Sequence, residues 1–261
     1  MKHTIFTGCS FTKGGGFDLE DEEPGLWVNQ LYHEFFSHTT KINIAVNGRS
    51  NAGIFQDTVK ALMSYPVAYA IVEWTSTPRY ELDLGFELYS TRQVFSPGGI
   101  RKNINTNNIN YSKKYLTEIQ DRFVTLVHPC YEILNLVGYI NSLSKLASLT
   151  GTNIFFINGL CTWDNDFFSQ KINVLPNQYT EFTQSILNVK TRVDTEIFQL
   201  YNKLHEDINN AGGINESKWL NLYNSMRSNK IDVNADGIHP GIKSNNLYFN
   251  MFSKTLNEKL Y

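Results

Sequence analysis

The sequence predicts a doubly wound α/β protein, with a parallel sheet covered by helices on both faces. Three observations carry this. Short β-branched or aromatic runs alternate with segments of helical period from the first residues onward. The strand candidates are apolar nearly throughout, as strands buried on both faces are. Loops rich in Gly, Ser and Asn follow those strands. A chain of 261 residues can bury one large core, so a single domain over 1–261 is expected, with a largely helical insertion around 79–150.

Met1 to Thr7 is the first strand. Trp27, Leu31 and Phe35, with Val28, Tyr32 and Phe36 beside them, repeat every four residues and mark a helix. Lys41 to Val46 (KINIAV) is a short second strand, interrupted by NGRSN. Ile54 to Met63 is a helix leading into a third strand, Val67 to Trp74 (VAYAIVEW). No strand signal follows for a long stretch. Tyr111 to Leu149 reads as helix, broken near Pro129, and Asn153 to Asn158 (NIFFIN) is the fourth strand. Gln178 to Asn209 suits one or two helices and Glu216 to Met226 another. After a turn-rich segment, Ile231 to Pro240, a last helix from Gly241 to Leu260 places Leu247, Phe249, Phe252, Leu256 and Leu260 on its apolar side.

Composition narrows the function. An apolar content of 41% is that of a soluble globule, and a net charge of −2 offers no basic surface for nucleic acid. Cys9, Cys130 and Cys161, odd in number and far apart, suit a reducing compartment better than a disulfide framework. No signal-type segment or membrane span is visible, so a cytoplasmic protein is expected. His33 and His38 are five apart, a spacing that does not set two ligands on one helix face. His128-Pro129-Cys130 alone makes no metal site.

In doubly wound sheets the ligand site lies beyond the carboxyl ends of the strands. GCSFTKGGG, NGRSN, WTSTPR, NGLCTWDND and DGIHP are expected to meet there. The first of these fails as a phosphate loop: Gly8 precedes Lys13 without the second glycine, and Gly14 stands where a hydroxyl should bind magnesium. It fails as a dinucleotide fingerprint as well, because Ser10 and Lys13 occupy glycine positions. What remains is Ser10 just past strand 1, which suits either a helix cap or a nucleophile; the three following glycines read as a flexible lip. Near the other end, Asp236-Gly237-Ile238-His239-Pro240 places a carboxylate three residues before an imidazole. A serine hydroxyl needs a base to take its proton, and that base works best when a carboxylate fixes its tautomer. Ser10, His239 and Asp236 can fill those roles; the alternative makes Asp236-Gly237 a turn and Asp236 a helix starter.

These blocks resemble the GDSL/SGNH hydrolase superfamily. Gly8-Cys9-Ser10-Phe11 stands for the family's first block, with Cys9 where the family has Asp. Asn43 to Gly48 (NIAVNG) is similar to the second block, and DGIHP to the last. The resemblance implies a three-layer α/β/α sandwich with a mostly parallel, flavodoxin-like sheet. It also implies Ser10 as nucleophile, His239 as base, Asp236 as its orienter, and the Ser10 and Gly48 N–H groups as oxyanion donors. The family's third block, Gly-x-Asn-Asp, is absent: the chain reads Glu73-Trp74-Thr75-Ser76-Thr77-Pro78-Arg79. Asn51, an unambiguous donor, is the preferred replacement, with Thr75 or Ser76 as alternatives and Asn158 as a weaker one. Arg79 and Glu81 read as a structural ion pair, with contact to substrate as the alternative, and Trp74 and Trp163 as core or cleft walls. The implied activity is hydrolysis of short acyl or O-acetyl esters, on small molecules or carbohydrate, through an acyl-enzyme and without a cofactor. A binding or assembly module of the same fold, without turnover, is the rival reading.

Overall fold

The computed structural model describes residues 2–19, 22–75, 80–82, 93–95, 129–160, 215–222 and 224–260. Its centre is a sheet of β1 (His3–Thr7), β2 (Thr40–Asn43), β3 (Val67–Trp74) and β6 (Asn153–Asn158), in the order β2-β1-β3-β6. All three pairings are parallel. The order steps outward to β2 and then back across β1 to β3, which leaves a crevice at the carboxyl end of β1, where the strand order reverses. Between β3 and β6 lie two short antiparallel strands, β4 (Tyr80–Leu82) and β5 (Gln93–Phe95), where the sequence showed no strand signal; three residues each give too little alternation to read.

Alternation along the strands builds two cores. Ile5, Ala70, Val72, Trp74, Ile154 and Phe156 face α3 (Asn51–Ser64) and α4 (Pro129–Thr150), which contribute Ile54, Leu62, Leu136, Ile140 and Leu143. Phe6, Ile71, Phe155 and Ile157 face α2 (Trp27–Leu31) and α5 (Ile242–Leu260), which contribute Trp27, Leu31, Tyr248, Phe252 and Leu256. Helices on both faces of one parallel sheet make the three-layer α/β/α sandwich that the sequence predicts. The four-residue periodicity of the first helix ends early: after Leu31 the chain widens into a π-helical turn, Tyr32–Phe36.

Two expectations change in detail. Strand β2 stops at Asn43, and Ile44 to Gly48 form the loop. The helix expected over Glu216 to Met226 is only a 3₁₀ turn, Glu216–Lys218. Beyond it the chain runs beside β6: Trp219 bridges Phe156 in parallel, and the Leu220, Met226 and Arg227 N–H groups donate to Phe156, Asn158 and Gly159 carbonyls at 2.9 Å each. An open sheet edge leaves backbone groups unpaired, and this segment satisfies several of them. The helix candidates over 111–128 and 178–209 lie outside the described residues. Among the described residues no helix is long and apolar enough to cross a membrane.

Candidate active site

At the carboxyl end of β1 the chain enters α1 (Ser10–Lys13), one turn of helix. Cys9 occupies the cap position with extended backbone and makes no side-chain cap bond, and Ser10 is the first helical residue. Ser10 is therefore not a cap. Its carbonyl accepts from the Gly14 and Gly15 N–H groups at 3.1 and 2.8 Å, and its hydroxyl makes no hydrogen bond among the described residues.

The C-terminal segment folds into a loop closed by an antiparallel bridge between Val233 and Pro240. The Asn234 N–H donates to His239 O at 2.9 Å. Within the loop Asp236 is fully used: Oδ1 accepts from the Ile238 and His239 N–H groups at 2.9 and 3.0 Å, and Oδ2 lies 2.5 Å from His239 Nδ1. Partial burial raises the Asp236 carboxyl, but the His239 ring and the two backbone donors outweigh it and hold the group at about 2. An ionised Asp236 keeps a proton on Nδ1 and leaves Nε2 as the basic nitrogen. His239 Nε2 is buried and has no hydrogen-bond partner among the described residues, and the ring packs its edge against Phe11, with centroids 6.3 Å apart.

Three glycines bring the two ends of the chain together. A methyl group placed on Gly15 would lie 3.0 Å from Ser10 Cβ and 3.0 Å from His239 Nε2, so the Ser10 side chain and the imidazole flank a bare Cα. One on Gly16, whose φ is +87°, would lie 2.8 Å from Asp236 Oδ2. Gly14, at φ 88°, ends α1 in the left-handed conformation. GGG is thus the surface against which the imidazole and carboxylate sit, rather than a flexible lip.

The start of the last helix belongs to a different carboxylate. Asp232 Oδ1 accepts from Ser244 N at 2.7 Å and Oδ2 from Lys243 N at 3.0 Å. Burial raises its carboxyl, and the hydrogen bonds from Ser244 and Lys243 more than reverse that, lowering it below the usual carboxylate value. A carboxylate on the first N–H groups is a favourable helix cap. The helix-starting role considered for Asp236 falls to Asp232, which leaves Asp236 to His239.

The second loop is tied to the first. Val46 N–H donates to Gly8 O at 3.1 Å, and Asn43 Nδ2 donates to Thr12 O at 3.2 Å. Gly48 turns the chain at φ 79°, a conformation that costs little only without a Cβ. Arg49, buried, holds Asp57 through Nε and a terminal N–H at 2.7 and 2.8 Å. Asn51 uses its carboxamide on backbone: Oδ1 accepts from Thr75 N at 2.9 Å and Nδ2 donates to Thr75 O at 3.1 Å. One of its two amide N–H groups is thereby spent on clamping the end of β3. Thr75 is fully buried. Asn158 is structural, donating to Leu222 O at 2.8 Å, and Trp74 is core. Residues 76–79 and 161–166, which include Ser76, Arg79 and Trp163, lie outside the described residues, as does the Glu81 side chain.

Sequence reasoning passed over Glu73, a fully buried carboxylate on β3. Its Oε2 accepts from Cys9 N at 2.7 Å and Thr12 Oγ1 at 2.9 Å, and its Oε1 from Cys9 Sγ at 3.3 Å. The available signal was a lone acid in an otherwise apolar strand, at the position where alternation turns the side chain toward the face shared by Ile71.

No protein-family model matches the chain, and no curated protein matches it in sequence. Among solved structures it is similar to that of TesA, at 11% identity and TM-score 0.49, with 99% of each chain covered. It is similar also to the psychrotrophic esterase EstA from Pseudoalteromonas sp., at 12% identity and TM-score 0.44, covering 100% of this chain and 99% of that one. A third is a member of the lipolytic protein G-D-S-L family from Veillonella parvula, at 13% identity and TM-score 0.41, with 98% and 97% covered.

Proposed function

We propose that the chain is a serine ester hydrolase of the SGNH type. The observation that carries this is His239: its Nδ1 is held by Asp236 at 2.5 Å, while its buried Nε2 makes no hydrogen bond among the described residues and lies across the bare Gly15 Cα from Ser10. Ser10 Oγ attacks the ester carbonyl carbon as Nε2 takes the hydroxyl proton. Asp236 stabilises the imidazolium so formed. The Ser10 and Gly48 N–H groups donate to the oxyanion, an interaction worth several kcal/mol per donor in related chemistry, about 3–4. Collapse breaks the bond to the alcohol, which leaves with the proton from Nε2. Water then attacks the acyl-enzyme, gives its proton to His239, and releases the acid as Ser10 recovers its own. Short acyl esters and O-acetyl groups on carbohydrate are the proposed substrates, and the scheme uses no cofactor.

A fluorophosphonate probe tests this. Labelling should map to Ser10, vanish in Ser10→Ala and fall sharply in His239→Ala. A folded protein that takes no label and leaves p-nitrophenyl acetate intact would overturn the proposal. One observation favours a second reading, a binding module that does not turn over: the Asn51 amide expected as third oxyanion donor is partly committed to Thr75. Under that reading Asn51→Ala and Thr75→Val alter ligand binding or stability without touching a rate. Under ours Asn51→Ala lowers kcat by about tenfold, corresponding to ~1.4 kcal/mol, because the strand end that it clamps frames the oxyanion site.

A further inference from the structure

Beneath the Ser10 turn lies a carboxylate that the scheme above does not use. We infer that Glu73 is a positioning residue for the nucleophile, an inference that rests on reading Ser10 as that nucleophile. One oxygen, Oε2, holds both the N–H of the residue before Ser10 and the hydroxyl of the residue two after it, at 2.7 and 2.9 Å. Two anchors on either side of Ser10 fix the direction in which its Cα–Cβ bond leaves the turn. The Cys9 thiol adds a third donor at 3.3 Å, which gives the residue standing in place of the family's Asp a role: it supplies hydrogen where a second carboxylate would set two acids side by side.

The surroundings are shaped for this group. A methyl on Gly8 would fall 2.3 Å from Glu73 Oε2 and one on Gly159 1.9 Å from Oε1, so glycines on two separate loops leave room for one carboxylate. A buried acid is costly unless donors converge on it, and charge-assisted bonds of this kind are about twice as strong as neutral ones. Removing the acid leaves a void and strands the Cys9 and Thr12 donors, so the turn relaxes and Ser10 leaves its place beside His239.

The test compares Glu73→Ala, Glu73→Gln and Thr12→Val with a control, Thr58→Val, whose buried hydroxyl bonds Ile54 O on α3 at 2.7 Å, away from the site. Thr12→Val should slow probe labelling and lower kcat by roughly ten- to a hundredfold with KM little changed. The control should lose similar thermal stability at an unaltered labelling rate. Glu73→Gln, which keeps an acceptor and the shape, should retain more activity than Glu73→Ala; if Glu73→Ala does not fold, Thr12→Val decides. A folded Glu73→Ala or Thr12→Val that labels at the wild-type rate overturns the inference. Failure of the wild type to label overturns the hydrolase reading instead, and hydrogen exchange at the Cys9 amide then decides the positioning role. Faster exchange in Thr12→Val than in Thr58→Val supports it, and equal exchange refutes it.

Discussion

Ser10 sits only 4% exposed in a turn whose flanking residues hang from a buried carboxylate, whereas Asp236 rides on an exposed loop and His239 is held there by Asp236 itself. The arm of the proposed nucleophile draws its geometry from the core: β1 and β3 carry it, and Glu73 and Phe11 lie against it. The arm of the proposed base draws its geometry from local bonds, with three donors on one carboxylate and a bridge closing the loop. The difference teaches where each arm is vulnerable. Changes in the core should move Ser10, and changes in a handful of surface hydrogen bonds should move His239.

The largest effect tests whether the nucleophile arm needs its hydroxyl for anything but chemistry. Ser10→Ala should lower kcat/KM on p-nitrophenyl acetate by on the order of 10³ or more with Tm unchanged, since the hydroxyl makes no bond among the described residues. A large fall in Tm would make it a structural group. Asp236→Asn comes next. It breaks the His239 tautomer while leaving the buried arm intact, so kcat should drop by roughly 10³-fold without altered amide protection in β1 and β3.

The junction between the arms gives intermediate effects. Gly16→Ala strains a φ of +87° and presses on Asp236, and a left-handed alanine costs about 1–2 kcal/mol; kcat should fall by about tenfold or more. Gly15→Ala, which avoids that strain, should fall less, with a fluorophosphonate rate that drops in step with kcat. Asp232→Ala removes the cap of α5 and should cost about 1 kcal/mol, seen as a melting shift of about 2–4 °C with nearly normal kcat. A collapse of kcat there would show that the base loop depends on the helix start.

The smallest effect is in acid. Because the Asp236 carboxyl is lowered from the usual 3.8 to about 2, its contribution to stability is complete above the unfolded value and is lost as pH falls through about 2. The urea midpoint of wild type should therefore exceed that of Asp236→Ala by a constant margin down to about pH 4, and the margin should shrink from there to about pH 2. A margin that persists at the acid end would mean that the loop owes nothing to the ionised carboxylate.

The sheet was legible because buried parallel strands write themselves as apolar runs: VAYAIVEW and NIFFIN match β3 and β6 end to end. The Asp236–His239 pair was legible because both residues lie in one five-residue block. Contacts that join distant segments were not. Nothing in NGRSN shows that the Asn51 carboxamide meets the Thr75 backbone, and the nine residues between Asp232 and Ile242 hide a cap that no local spacing describes. Glu73 read as one polar residue in a strand, since the sequence does not display the three donors that make its burial tolerable. The apolar spacing after Lys218 fits a helix, while pairing with β6 decides otherwise.

The convergence of Gly15, Ser10 and His239 also makes the site a clock. The two groups proposed to react enter from β1 and from the loop ahead of α5, the first and last elements described, so neither a half-formed sheet nor a chain with α5 undocked holds Ser10 against an imidazole. The moment at which a refolding sample becomes reactive toward a serine probe therefore dates the docking of its final helix, separately from the formation of secondary structure.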